Sequence, residues 1–231
     1  MSDLPTTIEG LAEAAAILGK AVLGPADLTK ALGYDPLPLL SADEHRAVAR
    51  VPFGKPELER ARADGEVLVL RVPRDPDGPL TMLALGRRLH GGLDPKVHKG
   101  VGYSLRDEWT IDTQPFATTD SCAAGWYLVR REPLPATRNR GYRAQDDALA
   151  ALGLATKGRP HRRSAVEIAF DTLVWHRARG ERLLATAWDW SRSPSNDQGF
   201  AALGEFGEQG LGVIAYSRAV RFGTLGVCPQ R

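Results

Sequence analysis

RSAVEIAFDTLVWHRARG, residues 163–180, is the stretch whose reading decides the fold. Ser164 and Glu167 stand at the spacing of a capping box: the serine hydroxyl accepts from the N–H three residues on, and the glutamate reaches back to the first N–H. Val166, Phe170, Leu173, Val174 and Arg177 follow at spacings of three and four, an apolar stripe with one charged end. Gly180 suits the left-handed residue that closes a helix. The spacing therefore predicts an amphipathic helix of about four turns, with Glu167 and Asp171 sharing one face at four-residue separation.

Downstream, residues 194–199 (Pro-Ser-Asn-Asp-Gln-Gly) favour a turn, so short strands are expected on either side of it. Residues 199–206, 211–216 and 222–228 are short, apolar and bounded by glycine, the pattern of an antiparallel meander. Glycines recurring from Gly199 to Gly226 argue against a further helix, since each costs about 1 kcal/mol in a helix interior.

Upstream, Thr6 and Glu9 form another capping box, and Leu11, Ala14, Ala15 and Leu18 make a stripe that Gly19 can close. Pro25 occupies a first helical position, with Leu28, Ala31 and Leu32 as the buried side and Gly33 as the stop. Lys30 is the one cation on that second helix, so a base-reading helix-turn-helix is not supported. Residues 36–40, Pro-Leu-Pro-Leu-Leu, read as an extended linker. Ser41 and Glu44 cap a brief helix, Pro56 starts another that ends near Gly65, and residues 66–72 form the clearest strand. Asp75-Pro76-Asp77-Gly78 is a turn, residues 80–89 return to helical spacing, residues 125–130 are a strand and residues 144–152 a short helix.

The chain of 231 residues is 43% hydrophobic and 25% charged, an ordinary balance for a globular protein. No apolar run approaches the roughly 20 residues of a membrane helix, and Met-Ser-Asp-Leu-Pro opens no signal or transit peptide, so a cytoplasmic location is expected. Three segments are expected: a helical region 1–55, a small α/β segment 56–124 and an α+β domain 125–231. Cys122 and Cys228 lie outside any ligand spacing and read as free thiols. The formal charge of +2 hides one basic block, residues 130–163, with nine Lys/Arg against three Asp/Glu.

No nucleophile–base pair, metal set or phosphate loop is legible, and neither cofactor nor metal is expected. His90 and His98 in a glycine-rich stretch have no neighbouring carboxylate or thiol and make a poor metal site. Asp107, Glu108 and Asp112 read as a charged surface around Trp109. Trp188 and Trp190 point the same way from an extended segment, either as a recognition surface with Arg192 or as core filling beneath the final strands. Tyr142 among Arg138, Arg140 and Arg143 would stack a base while the cations hold phosphate, or else sit in a solvated loop.

Residues 125–129 (Gly-Trp-Tyr-Leu-Val), the capped helix ending Gly180-Glu181-Arg182-Leu183, the Trp188/Trp190/Ser191/Ser193 loop and the closing Arg221, Gly223, Leu225, Gly226 and Val227 resemble a group of uncharacterised bacterial proteins. More distantly, the same order is similar to C-type-lectin-like domains of the formylglycine-generating-enzyme type. The resemblance covers residues 125–231 and implies a helix packed on short strands with loops at one end. Calcium-dependent sugar binding is not implied, because Ser193-Pro194-Ser195 stands where a calcium lectin has Glu-Pro-Asn. The catalytic cysteines of the enzyme are not implied either, since Cys122 and Cys228 are far apart in the chain.

The fold expected is α+β: a helical N-terminal region, a mixed body and a C-terminal amphipathic helix on glycine-rich antiparallel strands. The function expected is non-catalytic binding of a protein partner through C-terminal loops. Two alternatives stand beside it. One is an enzyme drawing on Glu167, Asp171, His176 and His161; the other is nucleic-acid binding through residues 130–163.

Overall fold

The computed structural model describes residues 8–89, 103–105, 111–196 and 199–231. In chain order come α1 (Leu11–Leu18), β1 (Val22–Leu23), α2 (Pro25–Leu32), α3 (Ala42–Val48), α4 (Lys55–Ala63), β2 (Glu66–Arg71), β3 (Arg74–Asp75), β4 (Gly78–Pro79) and α5 (Met82–Leu89). These are followed by β5 (Tyr103–Leu105), α6 (Pro115–Thr118), β6 (Gly125–Arg130), α7 (Tyr142–Ala151), β7 (Ala155–Thr156), β8 (Arg159–Pro160) and α8 (Ala165–Arg179). The chain closes with β9 (Trp188–Pro194), β10 (Phe200–Gly207), β11 (Gly210–Tyr216) and β12 (Leu225–Gly226). The mixed α+β class read from the sequence is the class of the fold.

Two sheets organise it. The first has the order β1-β2-β6, with β1 parallel and β6 antiparallel to β2. Its strands come from residues 1–55, 56–124 and 125–231 in turn, so these three segments share one sheet and one core. The second has the order β12-β9-β10-β11-β5. Its centre is the antiparallel meander expected from the glycine spacing. Its two flanking strands correct that expectation, because β12 runs parallel to β9 and β5 parallel to β11. Both reach the sheet through connections outside the meander, and residues 222–228 extend as strand only over β12.

Helix α8 starts and stops where its caps direct. Ser164 Oγ accepts from Glu167 N–H at 3.4 Å, Ser164 N–H donates to the Glu167 carboxylate at 2.6 Å, and Gly180 closes the helix at φ 74°. The amphipathic reading of this helix is corrected. Every residue from Ala165 to Trp175 is buried, and so is Ala178, because α2, α5, α6 and strands of both sheets pack around it. Residues 36–40 also depart from the linker reading: Leu37–Leu39 is a 3-10 turn and Leu40 is buried. Leu40 has apolar neighbours in the main core, and proline tolerates the tight turn.

The five-stranded sheet buries side chains on both faces. Ala201, Leu203 and Val213 join the main core. Trp188, Trp190, Ala202 and Leu225 form a second cluster on the opposite face, covered by Tyr142 from α7. Glycine is required where that face is tightest. Gly204 pairs with both Trp188 and Gly212, and a Cβ on Gly212 would lie 2.7 Å from the Trp188 ring. The Thr6 half of the first capping box, His90, His98, Asp107, Glu108 and Trp109 lie outside the described residues. Helix α1 begins at Leu11, behind Gly10 at φ 77°.

Candidate functional site

The acids of α8 decide what this molecule can do chemically. Glu167 and Asp171 lie one turn apart on the helix and are joined across the interior by arginines from elsewhere. Arg71 of β2 makes a bidentate pair with Asp171, Nε to Oδ1 at 2.8 Å and Nη2 to Oδ2 at 2.6 Å. Arg163, just ahead of α8, donates to the same Asp171 Oδ2 at 2.6 Å and grips Asp189 Oδ2 of β9 through Nε and Nη2 at 3.0 and 2.8 Å. Asp189 Oδ1 accepts from the Cys228 N–H at 2.9 Å. Arg71, Asp171 and Asp189 are fully buried and Arg163 is 1% exposed. One chain of alternating charges therefore ties β2 of the first sheet, through α8, to β9 of the second.

Glu167 continues this lattice towards the surface. Its Oε1 lies 3.4 Å from Arg71 Nη1 and accepts from Gln230 Nε2 at 3.4 Å, while Oε2 meets Arg192 Nη2 at 3.0 Å. Burial pulls the Arg71 and Arg163 guanidiniums down, and their buried carboxylate partners outweigh it, so both are raised and stay charged. Burial likewise pushes the Glu167 carboxyl up; Arg71, Arg192 and the Ser164 N–H outweigh it and hold the group below its ordinary 4.5. A carboxylate so held is a poor proton acceptor near neutrality. Burial first, and the neighbouring carboxylates with it, push the free thiols of Cys122 and Cys228 well up, which keeps them protonated and unreactive.

The depressed Glu167 value has a consequence for stability. A carboxylate with a lowered folded pKa contributes stability that is fully present above pH 4.5 and is lost as pH falls through the folded value. Glu167→Gln is expected to cost about 1–3 kcal/mol at neutral pH. The gap between wild-type and variant urea midpoints should narrow as pH falls below 4.5. A gap that stays constant from neutral to acid pH would show that the charge of Glu167 plays no part.

Arg162 is a separate rivet. Only 2% exposed, it donates to Asp146 Oδ1 at 2.6 Å, Trp190 O at 2.9 Å, Tyr142 O at 3.0 Å and Gln145 Oε1 at 3.1 Å, and its guanidinium lies 4.0 Å from the Tyr142 ring centre. It fixes α7 against β9.

Above the lattice a groove of about 770 Å³ opens, lined by Tyr127, Thr156, Lys157, Arg159, His161, Arg162, Arg192, Gln230 and Arg231. Three parts of the chain build it. The β7–β8 hairpin turns at Lys157 and Gly158, φ 49° and 74°, the two consecutive positive angles of a tight hairpin turn. That geometry lifts Lys157 and Arg159, both exposed, onto the rim. Arg192 enters from β9 with half of its side chain exposed. The C-terminal residues pair with β6, Leu128 and Arg231 exchanging backbone hydrogen bonds at 3.1 and 3.0 Å, and place Gln230 over Arg71 Nη1 at 2.5 Å. Arg231 is paired with Glu66 and Arg192 with Glu167, whereas Lys157 and Arg159 have no ion-pair partner among the described residues.

The residues singled out from sequence divide sharply. Trp188 and Trp190 are 3% and 0% exposed, so the reading of them as a contact surface is corrected in favour of core filling. Tyr142 is buried too, stacked on Phe200 at 4.3 Å and edge-on to Trp190 at 5.1 Å, and offers no face to a base. Arg138 is engaged with Glu132 at 3.0 Å, and Arg140 and Arg143 are exposed outside the groove lining. Arg192 alone of the seven lines the groove. Of the enzyme candidates, Glu167 and Asp171 point inward to arginines, not to solvent. His161 meets Thr156 Oγ1 through Nε2 at 2.7 Å, and His176 packs edge-on against Phe206. No hydrogen bond among the described residues joins either histidine to those acids.

The sequence places Lys157 and Arg159 in the basic block 130–163 without singling them out, and it marks neither Gln230 nor Arg231. Lys157-Gly158 was the available signal, a residue pair suited to a hairpin tip ahead of the basic run. Among the described residues no group of three or more His, Cys, Asp or Glu is placed to hold a metal ion, and no helix is long and apolar enough to cross a membrane. No protein-family model, curated protein or solved structure matches this chain.

Proposed function

We propose that this chain is a non-catalytic binding protein that engages a protein partner at the groove between the β7–β8 hairpin, β9 and the C-terminal residues. One observation carries the reading. Cations from three separate parts of the chain converge on an open groove, while each buried acid that would serve an enzyme is held by arginine. Recognition surfaces need side chains left over from folding, and Lys157 and Arg159 are such side chains. The likeness of residues 125–231 to C-type-lectin-like domains enters the proposal as an expectation about loops, with the groove in place of the tryptophan pair as the contact face.

A selection of displayed random peptides of about ten residues, a length that extends over some 30 Å, tests this. Binders are expected whose retention falls when Lys157 and Arg159 are both changed to glutamate. A selection that returns only binders indifferent to those changes, or none, would contradict the reading.

A further inference from the structure

We infer that the groove takes an extended acidic segment of a partner protein, with Lys157 and Arg159 as the residues that set its preference for carboxylates. This rests on the groove being the partner site. The lining supplies five Lys/Arg side chains, two of them without an ionic partner among the described residues, and uncharged hydrogen-bonding groups on Tyr127, Thr156 and Gln230. Opposite charge is the chemistry such a rim recognises, and it acts on encounter as well as affinity.

Nucleic acid fits the same surface less well, for two reasons. Base stacking needs an open aromatic face. Of the two rings in the lining, Tyr127 has Arg71 4.3 Å from its ring centre, covering one face, and His161 is tied through Nε2 to Thr156 Oγ1, while Tyr142 is sealed in the second core. Non-sequence-specific binding to a phosphate backbone also draws on roughly six to ten cationic contacts, whereas Arg231, Arg192 and Arg162 are already bonded to Glu66, Glu167 and Asp146. A carboxylate-bearing peptide asks for fewer cations and no stacking platform.

Fluorescence anisotropy with four labelled probes of about ten units decides it: a Glu/Asp-rich peptide, a Lys-rich peptide, a neutral Ser/Gly-rich peptide and single-stranded DNA. The protein is the full chain, at about 10 mM and about 150 mM salt. The paired variant is Lys157→Asn with Arg159→Gln. Asparagine tolerates the positive φ of residue 157 and neither side chain has an ionic partner to lose among the described residues, so the variant should unfold at the wild-type urea midpoint. The acidic peptide is expected to bind best, to weaken with salt and to lose about tenfold in the variant. Tighter binding of the DNA, or displacement of the acidic peptide by inorganic phosphate at millimolar concentration (on the order of ordinary weak-site affinities), would overturn the acidic-peptide assignment. Equal binding of the neutral peptide, weakened in the variant as much as the acidic one, would overturn the acidic preference and leave the groove as a partner site, whereas peptide binding that the variant leaves unchanged would overturn both. Failure of every peptide to bind would overturn both.

Discussion

Asp171→Asn is expected to destabilise the protein by about 3–5 kcal/mol, a large share of the roughly 5–15 kcal/mol that is the ordinary total for a folded domain. The substitution keeps the shape of the side chain and removes its charge. What makes it costly is what stays behind: Arg71 and Arg163 both donate to Asp171 at 2.6–2.8 Å, both are buried, and neither can lose its proton. Arg71 would keep only Glu167 at 3.4 Å as an ionic partner. Glu44→Gln serves as the control. Its partner Arg74 is 44% exposed, and surface pairs of this kind contribute no more than about 1 kcal/mol. Urea unfolding followed by tryptophan fluorescence should separate the two variants by several kcal/mol; similar midpoints would show that the buried pairs stabilise no more than the surface one.

The second large effect lies in the five-stranded sheet. A Cβ on Gly204 would stand 2.0 Å from the carbonyl oxygen of Ala187 and 2.7 Å from the Cα of Trp188. Both are backbone atoms, so relief requires β9 and β10 to part, and the ladder between them carries Trp188 and Trp190. Gly204→Ala is expected to cost about 3 kcal/mol or more. Gly223→Ala, with open space around the new methyl group, should change stability by less than about 0.5 kcal/mol. Near-UV circular dichroism, which reads the packing of the buried tryptophans, should be altered in the first variant alone. Equal effects would mean that the close approach of β9 to β10 does not constrain residue 204.

These two positions mark what could and could not be read from the chain. The ends of α8 were legible because a capping box and a left-handed glycine are local signals, each complete within about one helical turn. So were the glycine-bounded strands, where Gly204 and Gly212 interrupt apolar runs at regular intervals. The burial of Glu167 and Asp171 was not legible. Their partners Arg71, Arg163 and Arg192 all lie outside the helix, and an isolated acid four residues from another reads as a solvated face. The same holds for Arg162 and Arg163, which resembled the charged approach to a helix and are instead among the most buried side chains of the protein. Alternation showed that Trp188 and Trp190 share a face; only the packing of Tyr142 over that face shows that it is closed. The groove was hidden because it is assembled from residues 127, 156–162, 192 and 230–231, brought together by strand pairing and not by spacing.

Opposite charges running from β2 through α8 to β9 hold the two sheets together, with Glu167, Asp171 and Asp189 each held by arginine. A double-mutant cycle on Arg163 and Asp189 in equilibrium urea unfolding tests it most directly, using Arg163→Met, Asp189→Asn and the pair. Asparagine can still accept from the Cys228 N–H, and Arg71 still satisfies Asp171 when Arg163 is gone. The predicted result is a coupling of about 2 kcal/mol or more, each single change costing far more than its share of the double. Costs that add to within about 0.5 kcal/mol would contradict the claim.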